Sequence, residues 1–125
     1  MAAVMVVDDT AFMRMVMREI LEGMGMNVVA EATNGKEAVN LYSKYKPDLV
    51  TMDITMPDMD GISALKEIKR ADPNAKVIMC TALGQKDMLL DAIYSGAQDF
   101  LVKPISKDRV EQAVRKVLKE KVQTF

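Results

Sequence analysis

The feature that most constrains the fold is a regular alternation of short β-rich runs with segments of helical period. The runs are AVMVV (3–7), NVVAEA (27–32), DLVTM (48–52), KVIMC (76–80) and FLV (100–102). Most are apolar throughout instead of alternating, which is the pattern of strands covered on both faces. Between and after them lie helical patterns at Thr10–Glu22, Gly35–Tyr45, Gly61–Ala71, Lys86–Ser95 and Lys107–Lys121. A βα unit repeated in this way predicts an α/β fold, doubly wound, with a five-stranded parallel sheet, right-handed crossovers and helices on both faces. In the first helix Met13, Met17, Ile20, Leu21 and Met24 make a core-facing stripe, while Arg14, Met15, Arg18, Glu19 and Glu22 fall off it. Asn34 and Ser106 are the expected N-caps, and Gly23 and Gly96 the expected helix stops. A chain of 125 residues fits one domain, 1–125.

The strands end unusually. VTMDITMPDMDG (50–61) drives an apolar run into the carboxylate of Asp53, and VMVVDD places Asp8 and Asp9 after the first strand. An unpaired buried carboxylate is costly, so a strand that ends on one either reaches a surface or meets a cation there. Thr81 follows the fourth strand and Lys103 the fifth. In open parallel sheets the ligand site lies beyond the strand carboxyl ends, where strand order reverses, so these groups are expected at one edge. Three carboxylates without histidine suit a hard divalent cation such as Mg²⁺. With a lysine and a hydroxyl added, the set matches phosphoryl transfer, in which an aspartate can be the nucleophile.

Composition removes other classes. The chain has no histidine, which excludes histidine triads, histidine acid–base catalysis and most zinc sites. The single Cys80 cannot make an internal disulfide and reads as a small core hydrophobe. The 17 basic and 18 acidic residues are intermixed, with a net charge of −1, so no nucleic-acid footprint or polybasic membrane tail stands out. No apolar run approaches the roughly 20 residues of a membrane span, and no secretory pattern follows Met1; a cytoplasmic location is expected. GMGMN (23–27) has two glycines at dinucleotide spacing but follows a helix, and MPDMDGISALKE (56–67) has EF-hand offsets but puts Met56 at the first ligand position.

VVDD, DITMPDMDG, the TA after the fourth strand and the KP after the fifth closely resemble the receiver domain of bacterial two-component response regulators. DDTAFMR, EATNGKEAV, MDITMP and GAQDFLVKP look most like the single-domain chemotaxis regulators, and the resemblance covers essentially the whole chain. The resemblance, not the periodicity, supplies the flavodoxin-like strand order 2-1-3-4-5, of which these regulators are a type example. It implies that Asp53 accepts a phosphoryl group from a sensor histidine kinase. Asp9, Asp53 and the backbone carbonyl of Thr55 would ligate Mg²⁺, with Asp8 acting through a water. Lys103 would pair with the phosphoryl oxygens, the Lys103–Pro104 peptide would be cis, and Thr81 and Phe100 would form a switch pair. The output face would be the fourth helix, fifth strand and fifth helix.

Only a short tail ending in Gln123, Thr124 and Phe125 follows the last expected helix, so the output is expected to be a partner protein, in this family the flagellar motor switch. A phosphatase partner and a monomeric state are also implied, as is self-phosphorylation without conventional enzyme turnover. Two positions depart from the enteric pattern: Thr55 stands where asparagine is found, and Phe100 where tyrosine is frequent. Two other readings stay open here: a stand-alone phosphorelay receiver, and a Mg²⁺-dependent phosphatase with an aspartate nucleophile. The second is disfavoured because Thr55 occupies the place of that family's second acid.

Overall fold

The computed structural model describes residues 2–119; the expected end of the last helix at Lys121 and the tail Gln123–Phe125 lie outside them. The elements alternate as β1 (Ala3–Val7), α1 (Ala11–Gly23), β2 (Asn27–Ala32), α2 (Gly35–Tyr45), β3 (Leu49–Asp53), α3 (Gly61–Ala71), β4 (Val77–Thr81), α4 (Lys86–Tyr94), β5 (Asp99–Val102) and α5 (Lys107–Lys119). All strand pairs are parallel, in the order β2-β1-β3-β4-β5. This is the expected doubly wound, flavodoxin-like architecture.

The unbroken apolar runs are explained by a core on each side of the sheet. Met5, Val7, Val50, Met52 and Met79 pack toward α2, α3 and α4 with Leu65, Ile68 and Ala92. Their neighbours Val4, Val6, Leu49, Ile78 and Leu101 pack toward α1 and α5 with Met17, Leu21, Val110, Val114 and Val117. Successive strand residues point to opposite faces, so a strand buried twice needs no polar positions. Met17 and Leu21 of the methionine stripe are fully buried, whereas Met15 is half exposed.

Helix starts follow the side-chain chemistry. Thr10 caps α1 through a bond from the Met13 amide, 3.4 Å. The Asn34 carbonyl oxygen accepts from the Glu37 amide at 2.8 Å, and the Glu37 carboxylate accepts from the Thr33 amide at 2.7 Å. The Thr10 and Asn34 side chains each satisfy a helix-end N–H that has no intrahelical partner, and Glu37 ties down the residue before the cap. Asp60 caps α3 and Ser106 caps α5 in the same way. Gly96 turns the chain after α4 at φ +109, as expected of a helix stop. After α1 the left-handed position is Gly25, at φ +86, with Gly23 inside the helix.

Five strand ends and three helix ends differ from the sequence reading by one residue; at three of the strand ends the reason is that a polar side chain does not end a strand while its backbone stays paired. Asp53 still pairs with Cys80, Thr81 with Val102, and Asp99 with Ile78. Among the described residues no helix is long and apolar enough to cross a membrane.

Candidate functional site

Strand order reverses at β1 and β3, and the carboxyl ends of these strands hold the acids. Asp8, Asp9 and Asp53 each place a carboxylate oxygen within 4.8 Å of the others. Asp8 and Asp53 are buried and Asp9 is exposed. Lys103, just past β5, reaches across β3 and β4 to put its Nζ 3.2 Å from both Asp8 Oδ2 and Asp53 Oδ2. Its peptide to Pro104 is cis.

Asp8 is held more tightly than its neighbour in sequence. Its Oδ1 accepts from the Thr10 amide at 2.9 Å and from the Thr10 hydroxyl at 3.1 Å, while Oδ2 faces Lys103. Its backbone carbonyl accepts from the Arg14 guanidinium at 2.7 Å. Asp53 is fixed by its backbone. Gly61 opens α3 directly against it, its amide donating to the Ile54 carbonyl at 2.7 Å. A Cβ at Gly61 would fall on the Asp53 carbonyl oxygen, so only glycine permits this approach.

The electrostatics follow from that crowding. Burial raises the pKa of Asp53; Lys103 works against the rise, and Asp8 and Asp9 add to it. Burial also disfavours the Lys103 ammonium, but the Asp53 and Asp8 carboxylates outweigh it and hold its pKa above the ordinary lysine value. One ammonium among three acids leaves net negative charge, and the donors are all hard oxygens. Cys80 is fully buried, and burial pushes its thiol up to about 12, in keeping with a core residue and not a reactive one.

The structure brings Asp8, Asp9, Asp53 and Lys103 together directly. Thr81 ends β4 beside them and is buried, but its hydroxyl turns away, donating toward Gln85 Oε1 at 2.9 Å or the Ala82 carbonyl at 3.2 Å. Thr55 is exposed in the β3–α3 loop, and its hydroxyl accepts from Gln85 Nε2 at 2.6 Å. Phe100 stands apart on β5. Arg109 lies over its ring at 5.8 Å and donates to its carbonyl at 2.8 Å and to Asp99 at 3.2 Å. Neither Gln85 nor Arg109 is singled out by the sequence. Gln85 precedes α4 without being a standard capping residue, and Arg109 is one of several charges on an amphipathic helix.

The acids at the switch point, the lysine reaching them from β5 and the (βα)5 topology define a phosphoryl-handling class of α/β module. The response regulator receiver domain model matches residues 4–115, and the chain belongs to that family. It is similar to the chemotaxis protein CheY of Bacillus subtilis, 58% identical over 92% of this chain and 96% of that protein. It is also similar to CheY of Thermotoga maritima, 56% identical over 93% of this chain and 97% of the relative. Among solved structures it matches the CheX–CheY–BeF3–Mg²⁺ complex from Borrelia burgdorferi, with a TM-score of 0.90 and 40% identity over 94% of this chain and 89% of that one. The chain is thus a CheY-like receiver domain, a signalling domain and not a classical enzyme.

Proposed function

We propose that this chain is a chemotaxis response regulator switched by Mg²⁺-dependent phosphorylation of Asp53. The observation that carries the reading is the contact of a buried strand-end carboxylate with Lys103 at 3.2 Å beside two further acids. An Asp53 carboxylate oxygen attacks the phosphorus of a phosphohistidine on a sensor kinase. The new O–P bond replaces the P–N bond, whose electron pair leaves on the imidazole. Partial desolvation leaves Asp53 a stronger nucleophile than a carboxylate in water, and the Lys103 ammonium lies ready to pair with the phosphoryl oxygens.

The oxygen-only donor set fits Mg²⁺. Asp9, Asp53 and the Thr55 backbone carbonyl would hold the ion directly. Asp8, whose oxygens are already engaged by Thr10 and Lys103, would act through a water. When bound, the ion offsets the charge of the acids and of the incoming phosphoryl group. A CheY bound to Mg²⁺ and a beryllofluoride group is among the solved relatives, which supports the same assignment here.

The output is a change in affinity for a partner protein such as the flagellar motor switch. Support comes from the similarity to chemotaxis CheY proteins, and α4 and β5 leave apolar side chains exposed: Tyr94 is 87% exposed, Met88 47%, Ile93 43% and Val102 39%. The test is incubation with a small phosphodonor followed by intact mass. A single phosphoryl adduct is expected with Mg²⁺, and none with chelator or in Asp53→Asn. Equal labelling of that variant would refute the acceptor assignment.

A further inference from the structure

Gln85 lies at the junction between the β4–α4 loop and α4, and nothing in the proposed chemistry uses it. Its side chain nevertheless touches three groups at the rim of the acid cluster. Oε1 accepts from the Ala82 amide at 2.8 Å and lies 2.9 Å from the Thr81 hydroxyl, while Nε2 donates to the Thr55 hydroxyl at 2.6 Å. The Ala82 amide is a fixed donor, so it must face the carbonyl oxygen of Gln85. The amide nitrogen is thereby turned to Thr55.

This orientation constrains Thr81. A hydroxyl has one proton, and both polar neighbours of Thr81 Oγ1, Gln85 Oε1 and the Ala82 carbonyl, are acceptors. The proton is therefore committed to the loop. It is unavailable to an oxygen on Asp53 until Thr81 rotates away from Gln85. Releasing Gln85 also leaves the Ala82 amide and the Thr55 hydroxyl without this partner, so the three contacts are lost together.

We propose that Gln85 is a positioning residue that holds Thr81 in its unphosphorylated orientation and so sets how readily the site accepts a phosphoryl group. The inference rests on Asp53 being the phosphoacceptor. A net hydrogen bond in this setting changes an equilibrium by about threefold to tenfold. Replacing Gln85 by the similarly sized but apolar methionine should therefore tighten binding of a phosphoryl analogue by about that factor. The gain should require the hydroxyl that Gln85 restrains.

The experiment is a titration of the full chain with beryllofluoride at fixed Mg²⁺, followed by fluorine NMR, on wild type, Gln85→Met, Thr81→Val and the double variant. The expected result is tighter binding in Gln85→Met with no gain in thermal stability, and no further tightening when Gln85→Met is added to Thr81→Val. Merely structural support from Gln85 would predict unchanged or weaker binding in Gln85→Met, and that result overturns the proposal. So does an equal gain in the Thr81→Val background, which would route the effect through Thr55. Gln85→Ala provides a second variant in the same loop, with the same expected direction. If wild type itself shows no Mg²⁺-dependent binding, or Asp53→Asn binds as well as wild type, the acceptor reading fails and this inference falls with it. Normal binding by wild type, lost in Asp53→Asn and unaltered in Gln85→Met, removes the inference alone.

Discussion

At the scale of single residues the site combines charges that act on the fold in opposite directions. Burial and two neighbouring acids raise the pKa of Asp53 despite Lys103. A carboxylate raised in the folded state binds its proton more tightly there than in the unfolded chain. Its contribution is therefore most favourable below the ordinary value of 3.8 and is lost as pH rises through the raised folded value. Lys103 has the opposite window: its raised pKa contributes stability at neutral pH that is lost as pH climbs through its folded value, above 10.5. In Mg²⁺-free buffer at neutral pH, Asp53→Asn should raise the melting temperature, and added Mg²⁺ should narrow the gap by stabilising only the wild type. Thermal melts of both proteins check this. A less stable Asp53→Asn at neutral pH would show that the Lys103 attraction outweighs burial and repulsion.

At the scale of elements, the site depends on how closely α3 approaches the end of β3. Asp60 caps the helix, and Gly61 presses its backbone on the Asp53 carbonyl. Gly61→Ala would place a methyl group where that oxygen sits, and overpacking of this kind costs about 1–3 kcal/mol. The expected outcome is that loss in a denaturant titration together with slower adduct formation, since β3 and α3 must separate and carry Asp53 with them. An unchanged midpoint and rate would mean that the loop yields without disturbing the acid. The fifth strand shows a second element-level device. Arg109 on α5 ties Asp99, the Phe100 carbonyl and the Phe100 ring into one cluster, so the orientation of the aromatic ring depends on helix–strand packing.

For the whole molecule the question is how an event at Asp53 reaches the exposed face of α4 and β5. Thr81 pairs with Val102, two residues beyond Phe100 on β5, so the proposed switch would act through the neighbouring strand that carries the ring. A charge-assisted hydrogen bond contributes about 1.5–3 kcal/mol, whereas a shift from 1:99 to 99:1 requires about 5.5 kcal/mol. On the proposed reading Thr81 alone would therefore leave the switch incomplete, and Lys103 and the partner would supply the rest. Thr81→Ala should keep phosphorylation at Asp53 but lose most of the phosphorylation-dependent gain in partner affinity. Binding of a motor-switch peptide, measured with and without beryllofluoride in both proteins, decides it; an undiminished gain in Thr81→Ala would sink the coupling while leaving the acceptor intact.

By itself the sequence determined the order and type of the elements, because helical and strand periods are local properties and caps such as Asn34 and Ser106 act within three residues. It also placed Asp8, Asp53 and Lys103 at strand ends, since parallel strands joined by right-handed crossovers all end on the same edge. The strand order came from motif resemblance, as periodicity carries no information on which strands are neighbours. Tertiary structure alone decided which polar groups meet. Lys103 reaches Asp8 across 95 positions of chain, and Gln85 joins Thr55 across 30. No local pattern marks a glutamine for that role: its partners lie on two different loops, and they come within hydrogen-bonding distance only after β3 and β4 have paired side by side.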